Sequence, residues 1–271
     1  MTLHANSHCG AVDVAPVLLE HQGEVLNVTF NRPAQRNAVD LSMAQCMGRI
    51  APQIAAARVK VIVLRAQGSA FMAGGDITRL ATAPGEIGPI LDGFHAFMRA
   101  LAGSPASIVA SVQGAIAGGG LSLALNADII IAAEDAKFNF AYRRLGTSPD
   151  GGCTYYLPRI VGSRKAFALL MLGDAMSAQQ ALAHGLVTEV VPSAELERRT
   201  RVVVEQLCAN AAEAAAQTRK LLQASGERSL GDQLDAERAA FLACSATTDF
   251  REGVDAFLGK RPPHFQTLEQ T

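Results

Sequence analysis

The sequence predicts an α/β fold, because of the order and character of its apolar segments. Before Ser193, short continuous apolar runs of the kind found in strands buried on both faces alternate with helix-like stretches. This alternation predicts parallel strand pairing, with helices stacked on the sheet. After Ser193 the chain is rich in Ala, Glu, Gln and Arg, in patterns that predict amphipathic helices. We therefore expect an α/β core over residues 16–195 and a helical C-terminal region over 196–271.

The individual elements follow a predicted flexible leader, residues 1–15. Two strand-like runs flank Gln22-Gly23 and predict a hairpin, which Asn31-Arg32-Pro33 ends because proline donates no ladder hydrogen bond. A helix is predicted from about Asp40 to Ala57, with Asp40 or Ser42 as its N-cap. The predicted strands are 16–20, 25–30, 59–65, 107–112, 127–133 and 185–192, and the predicted C-terminal helices are 195–210, 211–223 and 230–247.

Composition excludes several classes of protein. Of the 271 residues 49% are hydrophobic and 18% charged, which is enough for a sizeable core and unlike a disordered chain. A net charge of -1 provides no basic field for nucleic acid or an anionic membrane surface. The five scattered cysteines predict free thiols, and with no signal-peptide core or long apolar run they indicate a cytoplasmic protein. The six histidines show no metal-ligand spacing, so no metal site is expected.

Two glycine-rich turns, 71–77 and 117–124, are the strongest functional signal. Each follows a strand-like run and precedes a helix-like one, and the first amides of a helix have no internal hydrogen-bond partner. If the fold brings the two turns together, two main-chain N–H groups can stabilise one oxyanion, which indicates chemistry at a carbonyl. The alternative is that these glycines only permit tight turns and close helix packing.

Several short motifs in a fixed order carry a family resemblance. They are 31–33 with 37–38, 71–77, 114–120, 145–152, 157–162, 173–174 and 178–187. With these motifs in this order, the chain resembles the crotonase (enoyl-CoA hydratase/isomerase) superfamily from about Val17 to Pro192. The resemblance implies a spiral of ββα units, a C-terminal helical trimerisation region, and assembly as a homotrimer or a dimer of trimers. It also implies an acyl-CoA thioester as substrate, with coenzyme A carried by the substrate and no separate cofactor.

The resemblance also implies roles for individual residues. By position, the N–H groups of Gly75 and Gly119 would form the hole for the thioester oxygen. The coenzyme A arm would run along Ala34–Ala38 and Ala73–Ile77, and the residues expected there are Arg36, which is a candidate phosphate contact, Ala38, Ala73, Asp76 and Ile77. Phe257 and Lys260 resemble residues that touch the nucleotide end from a neighbouring subunit, although a solvated lysine is an equal alternative.

The chain departs from the hydratase pattern at both glutamate positions. Ser122 and Tyr142 stand there, and neither side chain can act as a carboxylate base in the substrate pocket. Asp150 remains as a carboxylate, at a position that some family members with an Asp use for proton transfer or nucleophilic attack. The alternative for Asp150 is an N-cap of the helix that follows.

One carboxylate and one oxyanion hole are sufficient for a double-bond shift, so we expect an enoyl-CoA isomerase with Asp150 as acid and base. An enoyl-CoA hydratase with atypical residues and a non-catalytic acyl-CoA-binding paralogue are the alternatives. A dehalogenase of the chlorobenzoyl-CoA type would need an aromatic cage, for which Phe138 and Phe140 are available.

Overall fold

The computed structural model of the chain describes residues 15–268, so the predicted leader lies outside the described residues except for Ala15. The strands are β1 (Val17–Gln22), β2 (Val25–Phe30), β3 (Val61–Ala66), β4 (Ser107–Val112), β5 (Ala115–Ala117), β6 (Ile129–Ala133), β7 (Lys137–Asn139), β8 (Met176–Ser177) and β9 (Glu189–Val191). The α-helices are α1 (Leu41–Ala56), α2 (Ile77–Thr82), α3 (Ile87–Gly103), α4 (Gly119–Ala124), α5 (Tyr142–Leu145), α6 (Cys153–Val161), α7 (Ser163–Met171), α8 (Ala178–Ala183), α9 (Leu196–Cys208), α10 (Ala212–Ala224), α11 (Leu230–Ser245) and α12 (Thr248–Leu258).

A six-stranded sheet with the order β1-β2-β3-β4-β6-β9 forms the centre of the α/β core. The β1–β2 hairpin is antiparallel and every other neighbouring pair in this sheet is parallel, which confirms the predicted hairpin and parallel pairing. A second sheet has the order β5-β7-β8. Its strands of two or three residues have no counterpart among the predicted elements, and β9 covers only the last part of the predicted run 185–192.

Both faces of the main sheet are buried, as the continuous apolar runs predict. Along β3, Ile62 and Leu64 belong to the large hydrophobic core that also contains α1 and α3. Val61 and Val63 point to the opposite face and pack in a smaller cluster with Val203 of α9. The first helix of the C-terminal region therefore completes the core on the second face of the sheet.

The turn between β2 and α1 is fixed by polar contacts. Asp40 Oδ1 accepts a hydrogen bond from the Met43 N–H at 2.9 Å, so Asp40, and not Ser42, is the N-cap of α1. Asn37 is fully buried, and its side-chain amide donates to the Ala70 carbonyl at 2.8 Å. This contact ties the turn to the segment that follows β3, where the first glycine turn lies.

The cysteines differ in part from the prediction. Cys153, Cys208 and Cys244 are free thiols. Cys46 is fully buried in α1 and is disulfide-bonded, so the prediction of free thiols is wrong at that position. The cytoplasmic location stays a prediction. Within residues 15–268, no helix combines the length and the apolar character that crossing a membrane requires.

Arg219 anchors the C-terminal region to the core. Its side chain, only 7% exposed, extends from α10 and pairs with both carboxylate oxygens of Asp128, at 3.0 and 2.8 Å. The same guanidinium donates to the carbonyls of Leu101, Ala102 and Ser104 at the end of α3. It therefore adds hydrogen bonds at the end of α3, where helix carbonyls lack the partners that a continuing helix would provide.

Arg219→Ala is expected to lower the free energy of unfolding by about 3 kcal/mol, because it removes the guanidinium that pairs with the Asp128 carboxylate and binds the helix-end carbonyls. Urea unfolding followed by circular dichroism measures the change. Arg198→Ala is the matched control, because Arg198 forms an exposed ion pair with Glu195, and its loss should cost less than about 1 kcal/mol. Equal losses in the two variants would contradict the anchoring role.

Candidate active site

The two glycine turns lie against each other. Met72 donates a main-chain hydrogen bond to the Ala115 carbonyl at 3.1 Å, and Ala117 donates to the Met72 carbonyl at 2.9 Å. Gly74 has φ +94°, and a Cβ there would lie 3.0 Å from the Ala117 carbonyl oxygen. Gly74 is therefore needed both for its backbone conformation and for the close approach of the two turns.

The N–H groups of Gly75 and Gly119 differ from those of their chain neighbours at this junction. The Asp76 N–H donates to Val39 and the Gly118 N–H donates to Asn139, each at 2.9 Å. In contrast, within residues 15–268 no carbonyl accepts a hydrogen bond from the N–H of Gly75 or of Gly119. Gly119 is the first residue of α4, where an amide has no partner in its own helix. Both glycines are partly exposed, so a ligand oxygen has access to their amides.

Asp150 lies beside Gly119. A Cβ built on Gly119 would be 3.8 Å from Asp150 Oδ1 and 3.5 Å from the ring of Phe94. These are ordinary van der Waals distances, so a methyl group at position 119 would fit without a clash. The space above the Gly119 amide is therefore bordered by a carboxylate on one side and an aromatic ring on the other.

The side chain of Asp150 does not cap a helix, and the N-cap alternative is wrong. The residue that precedes α6 is Gly152, with φ +84°, and no side chain caps that helix. Instead, Asp150 Oδ1 accepts a hydrogen bond from the Tyr142 hydroxyl at 2.6 Å. The short distance is typical of an O–H group that donates to an ionised carboxylate.

Ser122 and Tyr142, the residues at the two hydratase glutamate positions, are in direct contact. Their hydroxyl oxygens are 3.0 Å apart, and the Ser122 hydroxyl also lies 2.9 Å from the Asp150 carbonyl oxygen. Both side chains are buried. Burial and the charge of Asp150 raise the pKa of Tyr142 well above its usual value, so Tyr142 is a neutral hydrogen-bond donor at physiological pH.

Cys153 completes this cluster from α6. Burial raises the pKa of its thiol to about 11, and the charge of Asp150 acts in the same direction, although a hydrogen bond with Ser122 partly offsets both. The thiol is therefore protonated at neutral pH and is a poor nucleophile. Phe138 and Phe140, the residues available for an aromatic cage, are buried in the main core.

Two residues of α3 that border the site, Phe94 and His95, are not indicated by any sequence motif. Gly151 has φ +58°, and its N–H donates to His95 Nε2 at 3.3 Å. A Cβ on Gly151 would lie 2.6 Å from the Phe94 ring. Phe94 and His95 thus fix the loop that carries Asp150, but they come from a helix more than fifty residues earlier and match no catalytic motif. A cavity of about 230 Å³ adjoins this loop and is lined in part by His95, Met98, Gly151 and Tyr156.

The two segments expected along the coenzyme A arm lie side by side. The Ala73 N–H donates to the Arg36 carbonyl at 3.0 Å, and the Val39 N–H donates to the Gly74 carbonyl at 2.8 Å. Arg36 has φ +50° and an exposed side chain, and Ala38 is buried directly beside it. An exposed guanidinium on this ridge is suitably placed to meet an anionic ligand.

The remaining predicted contacts are placed differently. Asp76 caps α2, since its Oδ1 accepts from the Arg79 N–H at 3.3 Å, while the Ile77 side chain is 48% exposed. Lys260 follows the end of α12 with φ +50°. Within the described part of the chain, no hydrogen bond or ion pair joins Lys260 to Arg36 or Asp76, and no group of three or more His, Cys, Asp or Glu could hold a metal ion.

Comparisons with known proteins agree on one family. The family model described as enoyl-CoA hydratase/isomerase matches residues 20–268. A "Probable enoyl-CoA hydratase" of Rhodobacter capsulatus is 35% identical over 239 residues, which cover 88% of this chain and 93% of that protein. The 1,2-epoxyphenylacetyl-CoA isomerase of Escherichia coli is 32% identical over 250 residues, or 89% and 94% of the two chains. The crystal structure of an enoyl-CoA hydratase from Polaromonas sp. JS666 superposes with a TM-score of 0.86 at 31% identity and covers 92% of this chain and 99% of that one.

Proposed function

Because the chain belongs to the enoyl-CoA hydratase/isomerase family, we propose that it moves the double bond of an enoyl-CoA thioester, with Asp150 as acid and base. The α/β fold is that of the family's solved structures, and relatives carry both hydratase and isomerase names. The observation that carries the proposal is the Asp150 carboxylate beside Gly119, hydrogen-bonded by Tyr142 at 2.6 Å.

The thioester oxygen binds between the two glycine turns. The N–H groups of Gly75 and Gly119 donate to it, and neither has a competing carbonyl partner among the described residues. These donors contribute most when negative charge develops on the oxygen, because they are already oriented in the folded protein. They make the α-proton of the thioester more acidic and leave the proton transfer to a side chain.

Asp150 then moves one proton between two carbons. With a 3-enoyl-CoA, its free Oδ2 takes a proton from the α carbon, and the electron pair of that C–H bond delocalises to the thioester oxygen as a dienolate. Asp150 returns the proton to the γ carbon, the double bond forms between the α and β carbons, and the thioester carbonyl is restored. The carboxylate ends as it began, so no cofactor or second base is needed.

Hydration is the alternative, and the residues around Asp150 favour isomerisation over it. Addition of water across the double bond calls for one group to activate water and another to protonate the α carbon. Ser122 and Tyr142 offer hydroxyls at the positions where a hydratase has glutamates, and the raised pKa of Tyr142 makes its phenol a weak acid and prevents it from acting as a base near neutral pH. Asp150 therefore provides the acid–base function of this cluster by itself.

The coenzyme A arm is placed along the ridge made by segments 36–38 and 73–77. Arg36 supplies the positive charge for a phosphate group, Ala38 and Ala73 leave room for the arm, and Asp76 and Ile77 complete the ridge. Lys260 lies on the C-terminal region and would reach the nucleotide end from a neighbouring subunit. Coenzyme A is thus part of the substrate in this proposal.

Asp150→Asn is expected to lower kcat for 3-enoyl-CoA isomerisation by about 100- to 10,000-fold, because the amide cannot take the proton. The Tyr142 hydroxyl can still donate to the amide oxygen, so affinity for an acyl-CoA should not change. The increase in absorbance of the conjugated 2-enoyl thioester measures turnover, and calorimetry measures binding.

The same enzyme preparation should give no 3-hydroxyacyl-CoA from a 2-enoyl-CoA. Hydration without isomerisation would establish the hydratase alternative. Acyl-CoA binding without turnover of either substrate would support the non-catalytic paralogue. Full isomerase activity in Asp150→Asn would remove this carboxylate from the mechanism.

Gly119→Ala is expected to lower kcat by about 100-fold or more, because the methyl group fills the space above the amide that serves the oxyanion. The melting temperature should hardly change, since the new Cβ meets Phe94 and Asp150 at ordinary contact distances. Gly88→Ala is the matched control: a Cβ there meets nothing within 4 Å, so activity should be normal. Normal activity in Gly119→Ala would contradict the oxyanion role.

The exposed apolar side chains of the later helices support assembly into a homotrimer or a dimer of trimers. The most exposed of these side chains are Phe167, Leu172, Leu222, Leu230, Phe241, Phe257 and Leu258. Monomeric proteins rarely leave large contiguous apolar patches in contact with water. Light scattering coupled to size exclusion is expected to give the mass of three or six chains, and a single-chain mass at micromolar concentration would contradict the assembly.

A further inference from the structure

We infer that Ser122 and Tyr142 form a hydroxyl chain that holds Oδ1 of Asp150 and leaves Oδ2 free for the substrate. The inference rests on the proposed function, since it assigns a positioning role to the residues that replace the two hydratase glutamates. It starts from two contacts, 3.0 Å between the two hydroxyl oxygens and 2.6 Å from the Tyr142 hydroxyl to Asp150 Oδ1.

The donors of this chain follow from the protons available. Tyr142 has one hydroxyl proton, which it donates to Oδ1 of Asp150 at 2.6 Å. The Ser122 hydroxyl lies 3.0 Å from the Tyr142 oxygen and 2.9 Å from the Asp150 carbonyl oxygen, so its single proton is shared between these two acceptors. Ser122 therefore holds both the hydroxyl that binds the carboxylate and the main chain of the residue that carries it.

The chain occupies one carboxylate oxygen and leaves the other free. Within the described residues, no N–H or O–H group donates to Oδ2 of Asp150. Because Oδ1 is held, Oδ2 is the oxygen that takes the proton from the α carbon and returns it to the γ carbon. Tyr142 and Ser122 thus act through Asp150 and do not exchange protons with the substrate.

Other groups that face this carboxylate do not replace the chain. Cys153 approaches from α6 as a neutral thiol, with its pKa raised to about 11. His95 approaches from α3, but its Nε2 accepts the Gly151 N–H at 3.3 Å. Among residues 15–268, Tyr142 on α5 and Ser122 on α4 are the side chains that hydrogen-bond to Asp150. The hydroxyl chain is therefore the contact that fixes the orientation of the carboxylate.

Tyr142→Phe removes the hydroxyl that donates to Asp150. Without this contact the carboxylate is free to rotate away from the α carbon, so kcat for 3-enoyl-CoA should fall by about 10-fold while KM and the affinity for an acyl-CoA stay unchanged. Ser122→Ala should lower kcat by a smaller factor, because Tyr142 still donates to Oδ1. A role confined to packing would lower the melting temperature and leave kcat of the folded enzyme unchanged.

Tyr156→Phe is the matched control. Its partly buried hydroxyl accepts a hydrogen bond from the Asn126 amide at 2.9 Å and does not contact Asp150. The same chemical change there should leave kcat and KM at their wild-type values. An equal loss of kcat in Tyr156→Phe, or an unchanged kcat in both Tyr142→Phe and Ser122→Ala, would overturn the inference.

A measurement without turnover separates this inference from the proposed function. The carboxyl ¹³C signal of Asp150 in labelled protein, assigned by its loss in Asp150→Asn, should change its chemical shift in Tyr142→Phe and Ser122→Ala and keep it in Tyr156→Phe, all at neutral pH. A changed chemical shift with no isomerase activity would leave the hydroxyl chain intact and reject the reaction. Isomerase activity with an unchanged chemical shift would reject the chain and leave the reaction. If Tyr142→Phe does not fold, Ser122→Ala decides the question by itself.

Discussion

The close approach of two backbone turns is the constraint on which the site depends. A Cβ on Gly120 or Gly114 would collide with the carbonyl of Met72 or Ser69, and Gly74 adopts a φ that side chains rarely allow. These glycines let the first turn of α4 lie directly against the segment that follows β3. Since that turn begins at Gly119, the same packing that closes the two turns leaves the Gly119 amide between them, and no carbonyl of residues 15–268 accepts a hydrogen bond from it.

Around this junction, charge and proton transfer are assigned to different parts of the protein. The backbone amides take the developing charge on oxygen, while Asp150 takes the proton. Additional carboxylates at positions 122 and 142 would repel Asp150, because like charges within a few ångströms cannot all stay ionised. Hydroxyls at these positions add hydrogen bonds without adding charge. The replacement of two glutamates is thus consistent with a site built around one ionised group.

The sequence predicted the elements that bury continuous apolar runs and missed those defined by short-range pairing. β4 matches its predicted bounds, 107–112, because all of its residues are apolar or small and it lies in the middle of the sheet. β5, β7 and β8 pair over two or three residues, too few for a periodic pattern. Asp150 was predicted from the sequence as a catalytic residue, but its hydrogen bond to Tyr142 was not. That bond depends on a loop in which Gly146 and Gly151 adopt left-handed backbone conformations, and residue spacing does not reveal such conformations.

The C-terminal region is linked to the site through one helix. Arg219 binds the carbonyls at the end of α3, about two turns beyond His95, which contacts the Asp150 loop. Helices are stiff over this length, so the position of Phe94 and His95 depends on how the end of α3 is held. Because Asp128 lies just before β6, its ion pair with Arg219 holds the end of α3 close to the start of that strand. The helical region therefore helps to set the geometry around Asp150, although none of its described side chains hydrogen-bonds to that carboxylate.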